Sequence, residues 1–263
     1  MPVSAWEIPA AWLLNLALLT ARMTALTVFS PLPGAAAAPP QTRVALALLL
    51  AALLAPSARF GLGPAELAAP AAVWLVGRAA LAELVLGAGL GLALRLLLEA
   101  FSLAAQTLGF QAGYSYVNMV DPTTQVDASI LNVALALLAN LLFFAFDLHL
   151  HLIRILAESL TAHPLGTFAT QPGDANAFIV LGAMMFDSAV RLALPVVALL
   201  LLVDLTLGLL NQAQPRMQLL TLAFPMKIVA GVAALYPVLP QSPRVFYQLA
   251  ERSFELLTAL LGR

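Results

Sequence analysis

Residues Ala71–Leu108 read AAVWLVGRAALAELVLGAGLGLALRLLLEAFSLAAQTL. At 1.5 Å per residue, a straight helix of about 38 residues would reach about 57 Å, against about 30 Å of bilayer hydrocarbon. The stretch also carries Arg78, Glu83, Arg95 and Glu99, and each charge is expensive in lipid. Two arrangements satisfy these facts. Either the helix is kinked near Gly87–Gly91, or much of it lies against protein and not lipid.

Five further apolar stretches flank it. Ile8–Phe29 and Val44–Ala55 precede it; Ile130 to about Leu160, Phe178–Leu210 and Met217–Leu239 follow. Proline and glycine punctuate the gaps, as helix ends require. Val44–Ala55, about 12 residues, reaches only about 18 Å and spans only if its polar flanks join the helix. Five or six spans result, and that choice flips the N-terminus. Pro195 and Pro225 are expected to kink the last two stretches, which form a hairpin around Asn211–Arg216. Ser242–Arg263 sets Phe246, Leu249, Phe254, Leu256, Leu257 and Leu260 against Glu251, Arg252 and Glu255, the pattern of an amphipathic terminal helix. The tail arginines Arg244, Arg252 and Arg263 suggest a cytoplasmic C-terminus.

Composition fixes the class. Of 263 residues, 62% are hydrophobic and 10% charged, against about 25% charged in soluble domains. Mean hydropathy is +0.96. That mixture lacks the polar surface to enclose a soluble core and is far too apolar for disorder. The expectation is an all-α polytopic membrane protein with long kinked helices. A net charge of −1 leaves no basic footprint for nucleic acid. The chain has no cysteine, hence no disulfide or thiolate site. A cleavable signal peptide is not expected, since Met1–Pro9 contain Glu7 and no Lys or Arg.

Charges inside the apolar stretches need partners. Arg95 with Glu99, Arg154 with Glu158 and Asp187 with Arg191 stand one turn apart. Arg191 and Asp204, deep in the fifth stretch, are read as facing neighbouring subunits or an aqueous lumen. Asp147 and His151, four apart, are placed on one helix face, with His149 between them. Two ligands and a weak third do not make a metal site, and no nucleophile–base pair stands out. No enzyme activity, metal or cofactor is expected. An independent transporter using Arg191, Asp204 and Lys227 as a relay is the competing class, but the halves show no duplication.

One polar segment breaks the apolar pattern. It runs Gly109-Phe110-Gln111-Ala112-Gly113-Tyr114-Ser115-Tyr116-Val117-Asn118-Met119-Val120-Asp121-Pro122. Irregular backbone at membrane depth is tolerated only beside protein or a water-filled cavity. Bulky groups on a glycine-rich loop can close a pore and still move; an interfacial connector with aromatic anchors is the alternative. Asp121, restrained by Pro122, sets a turn.

These residues carry a resemblance. Gly109-Phe110-Gln111, Gly113 and Asp121-Pro122 resemble the motif of the FliR family of flagellar export proteins, with SctT as the injectisome counterpart. A second block agrees: Gly208-Leu209-Leu210-Asn211, Pro215, then Phe224-Pro225-Met226-Lys227 and Gly231. Phe143-Phe144 before His149 is a weaker match, because Asp147-Leu148-His149 departs from the family's Asn-Gly-His. The Gly-Phe-Gln and Asp-Pro elements fit the flagellar pattern better than the injectisome one.

The resemblance implies a single-copy subunit of the type III export gate, assembled with FliP and FliQ homologues in the bacterial inner membrane at the flagellar basal body. It implies a FliP-like helical part over residues 1–176, a FliQ-like hairpin over 177–241, and the terminal helix over 242–263. Exported flagellar proteins would be transient cargo, and lipid would surround part of the assembly. Residues 109–127 would plug the closed channel, through Gly109, Phe110, Gln111, Gly113, Asp121 and Pro122, with Tyr114, Tyr116 and Met119 supplying bulk. Asn211, Pro215 and Arg216 would lie at the cytoplasmic entrance beside FliQ copies and FlhB. Phe224, Pro225 and Lys227 belong to the matching hairpin block, with Lys227 a charge contact between adjacent subunits.

Overall fold

Prolines mark two helix entries: Pro39-Pro40 opens one helix and Pro172 another, where a missing N–H costs nothing because the first-turn donors have no intrahelical partner. The computed structural model describes residues 10–30, 39–58, 72–113, 130–169, 172–213, 219–233 and 235–260. Among these residues the protein is all-α, with no strand. The helices are α1 (Ala10–Phe29), α2 (Pro40–Leu54), α3 (Ala72–Ala112), α4 (Ile130–Ala145), α5 (Leu148–Ala162), α6 (Pro172–Ala213), α7 (Leu219–Ala233), α8 (Leu235–Val238) and α9 (Ser242–Leu260).

Four of these segments are long and apolar enough to cross a membrane: Trp12–Phe29, Pro40–Ser57, Ala72–Ala112 and Ala175–Ala213. The bent pair α4–α5 makes a fifth if taken as one broken span. The second stretch does recruit its flanks, since α2 and the 3-10 turn Ala55–Ser57 together give 18 residues. Ser57 Oγ donates to the Leu54 carbonyl and closes that end. Only Ala47, Ala51 and Leu54 of α2 are buried, whereas Leu48, Leu49 and Leu53 are exposed. That is a narrow small-residue stripe against protein and an apolar face left for lipid or a partner.

The fourth stretch differs from a single span. Asp147 adopts φ 54° between α4 and α5, and the stretch breaks there into two helices. Asp is among the few non-glycine residues that enter the left-handed region readily. Its carbonyl accepts from the backbone N–H groups of Leu150 and His151.

Within the chain, contacts gather into two compact units. One takes Met1–Arg95, Asp147–Val180 and Ser253–Arg263, the other Leu96–Phe146 and Leu181–Arg252. The units therefore interleave along the sequence.

In the first unit, α3 is unbroken across Gly87–Gly91, and those glycines serve close approach instead of a kink. A Cβ at Gly87 would overlap the Arg22 carbonyl oxygen, and one at Gly91 would lie 2.7 Å from that of Leu26. Two glycines four apart form one small face, which lets two helix backbones touch. Gly89 points elsewhere and accommodates the Phe178 ring. Beside this contact, Arg22 and Glu83 form a fully buried ion pair.

In the second unit, the amphipathic α9 buries Phe246, Leu249 and Ala250. Phe246 meets Phe101 edge-on at 5.4 Å and stacks on Phe146 at 6.2 Å. This apolar face is covered by protein. α6 runs through Pro195 as one helix, although proline leaves the Arg191 carbonyl without its usual helical donor.

Candidate gating site

The segment read from the sequence as a loop starts later in the structure. Helical geometry continues through Gly109, Phe110 and Gln111 to Ala112, and only Gly113 leaves it, at φ 84°. Its N–H donates to the Phe110 carbonyl at 3.1 Å. A left-handed glycine just past the last helical residue is a common way to stop a helix, because no Cβ opposes that conformation. The motif glycine Gly113 thus ends the helix, while Gly109 is a buried helix position.

The three helical motif residues differ sharply in environment. Phe110 is 71% exposed, a large apolar ring left uncovered by the described residues. Gln111 is half-buried, and its Nε2 donates to Asp204 Oδ2 at 3.3 Å. Ala112 is fully buried. Tyr114, Tyr116, Met119, Asp121 and Pro122 lie outside the described residues.

The hairpin residues divide similarly. Asn211 is exposed in the last turn of α6, and Pro215 and Arg216 lie outside the described residues. α7 passes through positions 224 and 225. Lys227 Nζ sits 2.5 Å from Asp204 Oδ1. Lys227, expected at a neighbouring subunit, is thus engaged within its own chain. Asp204 holds a partner on each carboxylate oxygen: the ammonium of α7 and the amide at the end of α3. In an apolar helix such a charge persists only with partners of this kind.

Arg191 and Asp187 form the one-turn pair expected, Nε to Oδ2 2.7 Å. Both side chains are more than half exposed, on a helix whose exposed neighbours include Phe186, Val190 and Leu194. Asp147 does not share a helix face with His151, because it precedes α5 as a left-handed turn residue. Its carbonyl lies 3.2 Å from His151 Nδ1. Among the described residues no three His, Cys, Asp or Glu side chains gather as a metal set.

Two polar constellations are not legible in the sequence. Arg22 pairs with Glu83, and Gln111 joins Asp204 and Lys227. The usable signal is electroneutrality: each lone charge in an apolar stretch demands an opposite one. Separations of 61 and 93 residues hide which partner answers, since only local pairs at three or four residues can be read directly.

The family model for bacterial export proteins, family 1, matches residues 13–253. The chain is 30% identical over 243 residues to the flagellar biosynthetic protein FliR of Pectobacterium carotovorum subsp. carotovorum, covering 91% of this chain and 90% of the relative. It is 29% identical to the flagellar biosynthetic protein FliR of Escherichia coli (strain K12), covering 92% and 90%. To the protein of that name from Caulobacter vibrioides it is 30% identical, covering 83% and 86%.

Proposed function

The chain belongs to the bacterial export proteins, family 1, and on that premise we propose that it is a non-catalytic, gating subunit of the flagellar protein export apparatus. In this reading it sits in the bacterial inner membrane and completes a channel with FliP and FliQ homologues, with FlhB at the cytoplasmic entrance. The naming of its relatives as flagellar proteins favours the flagellum over the injectisome.

The observation that carries the gating role is the end of α3. A large exposed ring, Phe110, stands one turn before a left-handed glycine stop, and aromatic and methionine residues follow in sequence. Apolar bulk in a narrow pore seals it by excluding water, and it yields when an unfolded substrate pushes through. Hydrophobic constrictions gate by dewetting in the same manner. The subunit itself supplies no bond chemistry; energy enters elsewhere in the apparatus.

The test is conductance of the assembled complex. Phe110→Ala combined with Tyr114→Ala is expected to raise ion leak through the closed gate. Conductance equal to that of the parent would sink the plug assignment.

A further inference from the structure

We infer that the groove between α6 and α9 receives a carboxylate-bearing helix of a neighbouring subunit, whose Asp or Glu is held by Arg191 and Arg252. The inference rests on the reading of this chain as a subunit of an assembly, and it names the chemistry of one neighbour.

The groove follows from the spacing of its residues. Positions 184, 187, 188 and 191 of α6 and 245, 248, 249 and 252 of α9 line it. Each set steps by three, four and seven residues, which is one face of a helix. Ser188 and Leu249 are buried and form the base. Asp187, Arg191, Gln248 and Arg252 are exposed and form the rim.

That rim is electrically incomplete. Asp187 engages Nε of Arg191 at 2.7 Å, which balances that charge and leaves the two terminal nitrogens of the guanidinium available. Arg252 forms no ion pair among the described residues. The groove therefore carries one uncompensated positive charge, and one carboxylate supplies the balance. Guanidinium groups match a carboxylate in plane and in donor spacing. A lipid phosphate carries the same single charge, but the surroundings favour protein. A headgroup site at a bilayer edge has hydrocarbon on one side and water on the other. Here exposed apolar side chains stand on both sides of the charged pair along α6, Ile179 and Phe186 before it and Leu194 and Leu199 after it. From Ile179 to Leu199 this strip runs about 30 Å, the reach of a helix and not of a loop tip. An apolar helix with one acidic residue fits both features, since a charge in such a helix requires an opposite one.

The chain contains a single lysine, Lys227, which already pairs with Asp204, so Arg252→Lys places a nearly unique amine at the groove. In the assembly co-expressed with the FliP and FliQ homologues, a water-soluble carbodiimide joins that amine as an amide to a carboxylate in contact with it. A cross-link to another subunit, mapped to an Asp or Glu within an apolar stretch, is expected at several times the parent's yield. Should Arg252→Lys fail to assemble, Arg191→Lys gives the same readout from the other wall. Arg252→Glu is expected to cut recovery of the assembly several-fold while the unfolding midpoint of the isolated chain stays at the parent value. An adduct with lipid, a link only to Asp187 within the chain, or no link between subunits in an intact assembly would overturn the inference. So would full recovery with Arg252→Glu. If the chain joins no assembly by native mass, the subunit reading itself fails; if it assembles without the link, only the groove assignment fails.

Discussion

Arg22 and Glu83 form an ion pair with neither side chain accessible to solvent. Arg22 also donates to Ser159 Oγ at 3.2 Å and to the His163 carbonyl at 3.1 Å. Glu83 accepts in addition from the Gly166 N–H at 2.8 Å. One buried pair therefore joins α1, α3, α5 and the turn that follows α5.

Removing either partner strands a buried charge, which costs about 3–5 kcal/mol. Arg22→Met and Glu83→Leu are each expected to lower the unfolding midpoint of the purified protein sharply. The double variant should recover the charge component only. The His163 carbonyl and Gly166 N–H would still lack their partners, at about 1–3 kcal/mol each. A single variant with the parent midpoint would contradict the role given to this network.

Glycine substitutions in α3 should split by position. Ala is the better helix former by about 1 kcal/mol, so Gly77→Ala, where nothing lies within 4 Å of the new Cβ, is expected to be neutral or stabilising. Gly91→Ala would place a methyl 2.7 Å from the Leu26 carbonyl oxygen and force α1 and α3 apart. Thermal unfolding of the two variants side by side checks this; equal midpoints would argue against close helix contact at Gly91.

The Asp187–Arg191 pair should matter little to the folded chain alone. It is exposed, and such one-turn pairs contribute about 0.3–0.5 kcal/mol at most. Arg191→Ala is expected to leave thermal stability of the isolated chain unchanged. A charge beside exposed Phe186, Val190 and Leu194 suits a protein neighbour better than lipid, so the same variant is expected to lower recovery of the assembled complex. Normal recovery would assign that face to lipid headgroups.

Local signals carry much of this architecture into the sequence. The apolar lengths, the proline-marked entries and the amphipathic pattern of Ser242–Leu260 all follow from interactions within a few residues, and the helices form there. The Asp187–Arg191 pair is legible for the same reason. Gly87 and Gly91 are ambiguous because glycine serves both a bend and a close approach, and only a second helix decides between them. The break at Asp147 is hidden because Leu and Phe flank it on both sides without proline or glycine. At the candidate site, Gly113 is a point of backbone freedom as its residue type suggests, but Gly109–Gln111 remain helical because Gln111 and Ala112 find partners on the hairpin. Those partners lie far away in sequence, beyond any periodicity.

Membership of a larger export gate underlies the whole functional assignment. Co-expression of this chain with its FliP and FliQ homologues, followed by native mass measurement of the purified complex, tests it without relying on any single residue. One copy of this chain within a larger FliP–FliQ assembly is the expected outcome. A stable, self-sufficient oligomer with no affinity for either partner would contradict it.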